Sequence, residues 1–109
     1  MSNGDLETRI RALEDVEAIK RLKASYCVHC DESFDADALT NLFVDDGIWE
    51  SAGLGRLEGK EAIHKFFVSA SESISFAVHM VMNPIIEVDG DRATGTWYLF
   101  QPCTYAEGN

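Results

Sequence analysis

"ISFAVHMVMNPIIEVDGDRATGTWYLFQPCTY", residues 74–105, is the stretch that decides the fold. Over residues 74–83 the apolar side chains recur with a period of two, the spacing of a strand rather than a helix. Phe76, Val78, Met80 and Met82 fall on one face. Ala77, His79, Val81 and Asn83 fall on the other. "PIIEV" and "RATGTWYLFQPCTY" continue as strands, and Asp89-Gly90 between them is a hairpin signal because a tight turn needs residues that tolerate positive φ. The last third of the chain therefore predicts an antiparallel meander.

Upstream the period lengthens. Ile10, Leu13, Val16, Ile19, Leu22 and Tyr26 recur at three- and four-residue steps, which predicts a helix over residues 5–30 with one apolar stripe. Asp5 and Asp15 each suit an N-cap, so a short helix leading into a longer one fits this segment. A short helix is predicted over residues 36–43, capped by Asp35, with Leu39, Leu42 and Phe43 turned inward. "GIWES" reads as a strand and the glycine-rich "SAGLGRLEG" as a loop. "KEAIHKFFVSAS" reads as a third helix burying Ile63, Phe66, Phe67 and Ala70. Helices first and a meander after them make an α+β domain, with helices packed on one sheet face.

The 109 residues, 46% of them apolar, suit a single small domain. The formal charge of −10 opposes binding to nucleic acid or anionic membranes, so neither is an expected partner. No apolar run is long enough for a membrane span, and the N-terminus lacks a signal-peptide pattern, so the expected location is cytoplasmic. Three cysteines do not make a disulfide framework.

"SYCVHCDESFD", residues 25–35, concentrates the chemistry-bearing side chains. Cys27 and Cys30 supply only half of a zinc site, and no histidine lies at finger spacing. They sit at the end of a helix, where the dipole disfavours a thiolate, so a redox pair is a poor fit as well. Packing is the favoured role, with no metal and no cofactor expected. Tyr26 and Asp31 are five residues apart, about 500° of helical rotation, so a regular helix would not align them. His79, in the middle of an apolar strand, is either a satisfied core histidine or the base of a pocket.

The chain resembles the SnoaL-like branch of the nuclear transport factor 2-like superfamily. The resemblance rests on "LEDVEAIKRLKASYCVHCD", "LTNLFVDDGIWE", "GKEAIHKFF" and "VHMVMNPIIEVDGDRATGTWYL". It implies a cone-shaped fold, in which a curved mixed β-sheet wraps a long N-terminal helix and an apolar pocket opens at the wide end. Within that group the chain is most similar to bile-acid 7α-dehydratase-like and scytalone dehydratase-like proteins. Tyr26, Asp31 and His79 match their tyrosine, aspartate and histidine. The implied function is a cofactor-independent lyase acting on a bulky apolar hydroxy-ketone, such as a steroid or a polyketide. A ketosteroid-type isomerase with Asp31 as base, or a non-catalytic ligand-binding or assembly domain, are the alternatives. Trp49, Phe67, Val81, Asn83 and Trp97 are the expected substrate-contacting residues. Members of the group usually continue for two further strands, so residues 1–109 are expected to form a C-terminally incomplete domain. A homodimer or trimer is expected to complete the sheet.

Overall fold

The first helix, α1, spans Asn3–Asp31 without interruption in the computed structural model, which describes residues 3–106. The expected domain, 1–109, extends past the described residues at both ends. Asp15 caps nothing: with no glycine or proline from Asp5 onward, the backbone has no reason to break there. The apolar stripe is used unevenly. Leu6, Ile10 and Leu13 are exposed, whereas Cys27 and Cys30 near the other end are buried.

The helix stops where Ser33 and Phe34 adopt φ of 62° and 53°. Positive φ is unusual for a phenylalanine. Here it turns the chain so that the Phe34 and Asp35 N–H groups cap the carbonyls of Cys30 and His29 at 3.1 Å each. It also delivers the Phe34 ring to the core, where 5% remains exposed. Asp35 then caps α2 (Ala36–Thr40), its carboxylate accepting the Ala38 N–H at 3.1 Å. Leu39 is buried, as expected, while Leu42 and Phe43 lie just beyond the helix and are half-buried.

β1 (Ile48–Ser51) pairs antiparallel with β2 (Gly55–Glu58), opposing Trp49 to Leu57. The segment expected as a loop is thus half strand. α3 (Lys60–Ser73) starts at Gly59, whose φ of 87° suits glycine. Its Ile63, Phe67 and Ala70 pack with Cys30, Phe34, Leu39 and Ala77 into the core. Phe66, expected inside, packs against that core and is only partly buried.

The meander departs from two unbroken strands. β3 (Ile74–Ala77) pairs with β6 (Cys103–Tyr105), and β4 (Met80–Asp89) pairs with β5 (Arg92–Phe100). The breaks fall at Val78-His79 and Gln101-Pro102. Pro102 has no N–H to give a ladder, and its carbonyl instead accepts from Val78 at 3.0 Å. The hairpin turn is centred on Gly90-Asp91, one residue later than expected. Only Gly90 has positive φ, 61°, so the turn needs one permissive position, not two.

β4 carries a bulge between Met82 and Ile85. Asn83 sits there at φ 54°, followed by Pro84. Asparagine is one of the few residues that accept this conformation readily, and proline is tolerated where the ladder is already interrupted. All three ladders described are antiparallel and two-stranded, rather than parts of one mixed sheet. The α+β class stands, with α1 running beside β4.

Candidate functional site

Asp31 is the last residue of α1, and His79 lies in the break between β3 and β4. One carboxylate oxygen, Asp31 Oδ1, accepts both the His79 backbone N–H and the ring Nδ1–H, each at 2.8 Å. The break and the side-chain contact therefore have one cause. An aspartate at the helix end satisfies the amide that would otherwise continue the ladder, and it fixes the imidazole in the same act. With Nδ1 protonated toward Asp31, Nε2 is the basic nitrogen of the neutral ring. The Phe34 ring meets the imidazole in a T-shaped contact, centroids 5.8 Å apart, and only 6% of the His79 side chain is exposed.

His79 lines a cavity of about 380 Å³ together with Tyr26, Trp49, Phe67, Val81 and Leu99. The Tyr26 hydroxyl accepts a hydrogen bond from Trp49 Nε1 at 2.8 Å. Burial pushes the phenol well above its ordinary value, and the neighbouring Cys30 adds to the rise against a smaller opposing effect of the Trp49 bond. Tyr26 is therefore a neutral hydrogen-bond donor throughout the physiological range. Burial likewise raises the Cys30 thiol to about 12 and moves Cys27 upward. Both are poor thiolates, both are packed away from solvent, and both are free of disulfides. Among the described residues no group of three or more His, Cys, Asp or Glu side chains is placed to hold a metal.

The helical offset between Tyr26 and Asp31 is real, and it is bridged by His79. Tyr26 faces the cavity directly, whereas Asp31 stands behind the imidazole and is not part of the cavity wall. Of the expected substrate contacts, Trp49, Phe67 and Val81 share the cavity with His79. Trp97 lines an adjoining cavity of about 430 Å³ that shares Lys23, Tyr26, Trp49 and Glu50 with the first. Asn83 lines neither of these. The bulge carries it out of the His79 row, and it borders a separate surface hollow with Pro84 and Tyr98. His64 bonds Asp37 at 2.8 Å and His29 lies 3.4 Å from Glu32, each away from this cavity.

Sequence reasoning missed Lys23. Its ammonium lies 5.0 Å from the centre of the Tyr26 ring and 5.3 Å from that of Trp97. The signal was present: Lys23 precedes Tyr26 by three residues, which puts both on one helix face.

A family model described as a SnoaL-like domain matches residues 11–109. The chain belongs to the SnoaL-like family. Among solved structures, this SnoaL-like domain is similar to a candidate aromatic ring hydroxylase from Novosphingobium aromaticivorans, at 26% identity and TM-score 0.84, over 88% of this chain and 69% of that one. A candidate scytalone dehydratase from the same organism superposes with TM-score 0.80 at 21% identity, over 89% and 65% of the two chains. A hexachlorocyclohexane dehydrochlorinase from Novosphingobium barchaimii gives TM-score 0.77 at 22% identity, over 89% and 67%. At such identities the last two establish a shared fold. The family match, with a 26% identical ntf2-like protein of cystatin-like fold from Novosphingobium aromaticivorans (TM-score 0.77, over 96% and 73% of the two chains), shows the nuclear transport factor 2-like architecture expected for the SnoaL-like domain, and no described helix is long and apolar enough to cross a membrane.

Proposed function

We propose that this SnoaL-like domain is a small-molecule lyase that eliminates water from a bulky, apolar β-hydroxy ketone of steroid or polyketide type. The observation that carries the reading is the Asp31–His79 pair at the wall of an apolar cavity that also holds Tyr26. His79 Nε2 takes the proton from the carbon α to the carbonyl. The C–H electron pair moves into the new C=C bond, first as an enolate whose oxygen accepts a hydrogen bond from Tyr26. The C–O bond to the β-hydroxyl then breaks, and the imidazolium returns its proton to the departing oxygen as water. Asp31 holds Nδ1–H throughout and offsets the charge on the imidazolium.

Both the dehydratase and the dehydrochlorinase among the similar structures are named for eliminations. That supports the class of reaction without specifying the leaving group. Geometry disfavours the isomerase alternative with Asp31 as base, because Asp31 Oδ1 already accepts two hydrogen bonds and the residue is screened from the cavity by His79.

The test is a panel of bulky β-hydroxy ketones, followed by growth of the conjugated-enone absorbance. Turnover should appear with the wild-type chain and fall by about 10²–10⁴-fold in His79→Ala, the usual range for a general base. Turnover equal in the two proteins would refute the assignment of the base. Binding of the panel without turnover in either would favour the non-catalytic reading.

A further inference from the structure

We infer that Lys23 is a substrate-recognition residue, reading a carboxylate carried by an otherwise apolar ligand. The inference extends the proposed function by naming a feature of the substrate, and it rests on that reading only for the location of the pocket.

The ammonium of Lys23 lies over two aromatic rings, Tyr26 from its own helix at 5.0 Å and Trp97 from β5 at 5.3 Å. The Trp97 indole is folded over Gly95, where an added Cβ would lie 2.6 Å from the ring, so a residue without a side chain makes room for it. Both rings that the ammonium approaches are thus held in place, Trp97 over Gly95 and Tyr26 by its bond from Trp49. Lys23 lines both adjoining cavities, and His79 is the only other basic side chain among their lining residues.

The chain carries 19 acidic residues against 9 lysines and arginines, yet Lys23 makes no ion pair among the described residues. Glu50, the one carboxylate lining the same two cavities, lies 3.6 Å from Arg56 instead. A half-buried ammonium supported only by ring faces retains its hydrogen-bonding capacity, because the rings accept no conventional N–H bond. A carboxylate supplies what is missing, and it forms a charge-assisted bond without displacing either ring. The rest of the wall is aromatic and aliphatic, which fits an acid with a large apolar body. The negative field of the remaining protein opposes anions in general, so selectivity for the acid must come from this one contact.

The experiment uses 2-naphthoate and its methyl ester as unreactive probes, with calorimetric titration of the full chain. The wild-type protein should prefer the acid by about tenfold to a hundredfold, the contribution of one bond to a charged partner. That preference should shrink as salt is raised. Lys23→Met keeps an unbranched apolar stem against Tyr26 and Trp97. It should bring acid and ester to parity while ester binding persists, and Lys23→Arg should keep the preference. Lys20→Met, at a lysine of the same helix outside both cavities, should leave the preference unchanged, and because the probes are unreactive the result is independent of the catalytic reading. Equal binding of the two probes by the wild type, binding of neither, or a preference that survives in Lys23→Met would overturn it.

Discussion

Replacing Asp31 separates what this residue does for the fold from what it does for chemistry. Its Oδ1 accepts two N–H groups of His79, one from the backbone and one from the ring, and the ring is almost fully buried. Asp31→Ala leaves both donors without their acceptor at the β3–β4 break. A hydrogen bond to a charged group contributes about 1.5–3 kcal/mol. Because the two bonds share one oxygen, we take that range for the pair. At roughly 5 °C per kcal/mol for a domain of this size, the melting temperature should fall by about 8–15 °C. Asp31→Asn keeps a neutral acceptor oxygen in place, so its loss should be nearer 1 kcal/mol, about 5 °C. Turnover should rank the variants differently. The amide cannot offset the imidazolium charge that forms on proton abstraction, so Asp31→Asn should lose about 10- to 100-fold in kcat despite its milder effect on stability. Circular dichroism melts and the enone assay read the two quantities on the same preparations. An Asp31→Ala protein that melts within about 2 °C of wild type would refute the contact as drawn. An Asp31→Asn protein with undiminished kcat would refute the role of the charge.

Tyr26→Phe should cost about 1–3 kcal/mol in urea unfolding, because Trp49 Nε1 loses its acceptor in a partly buried setting, and should depress kcat more than it alters probe binding. Stability should fall as pH rises above about 9. The ordinary value of the Cys30 thiol is 9.0, burial holds it to about 12 in the fold, and Tyr26 is shifted in the same direction. Between those values the folded chain keeps protons that the unfolded chain releases, so the stabilisation is intact below pH 9 and is lost on the way to 12. Cys30→Ala should flatten the decline measured by urea midpoints from pH 7 to 11, and an unchanged slope would contradict the shift. Phe76, Tyr98, Leu99 and Phe100 are all more than half exposed, which suits burial between copies, so light scattering should give a multiple of 12.1 kDa. A mass of 12.1 kDa at working concentration would exclude that assembly.

The elements were legible where one local pattern ruled: the stripe on α1, the Asp35 cap, the amphipathic α3 and the hairpin between β4 and β5. What failed to show was set by contacts distant in sequence. Alternation runs unbroken through Val78-His79, so nothing local announces that a carboxylate 48 residues away will take the His79 N–H. Gly53 and Gly55 made residues 51–59 look like pure loop, yet β2 forms because Leu57 lies opposite Trp49. Asn83 was placed on the His79 face by strict two-residue periodicity. The Asn83-Pro84 pair was the available warning, since proline inside a strand signals a bulge and a bulge resets the faces.

Tyr26 and Asp31 stand five residues apart on α1, an offset that a regular helix does not align, yet both are linked to His79 or its cavity. The two residues do not need to share a face. Tyr26 reaches the cavity from the side of α1, and Asp31 reaches His79 from its end. Cys30 lies between them, 1% exposed and packed in the core. Tyr26 and the carboxylate that holds His79 are thus both carried within little more than one turn at the end of α1, with Trp49 bonded to Tyr26 and Phe34 packed on His79. Their relative placement then depends on the packing of that turn more than on loops. Phe67 of α3 ties the parts together, its ring meeting Tyr26 at 6.2 Å and Phe34 at 6.3 Å, whereas Val81 and Leu99 of the wall come from the strands. On the proposed reading, ligands of different shape would be fitted by changes at the strand residues rather than at Phe67, because Phe67 packs on Tyr26 and on the ring that backs His79.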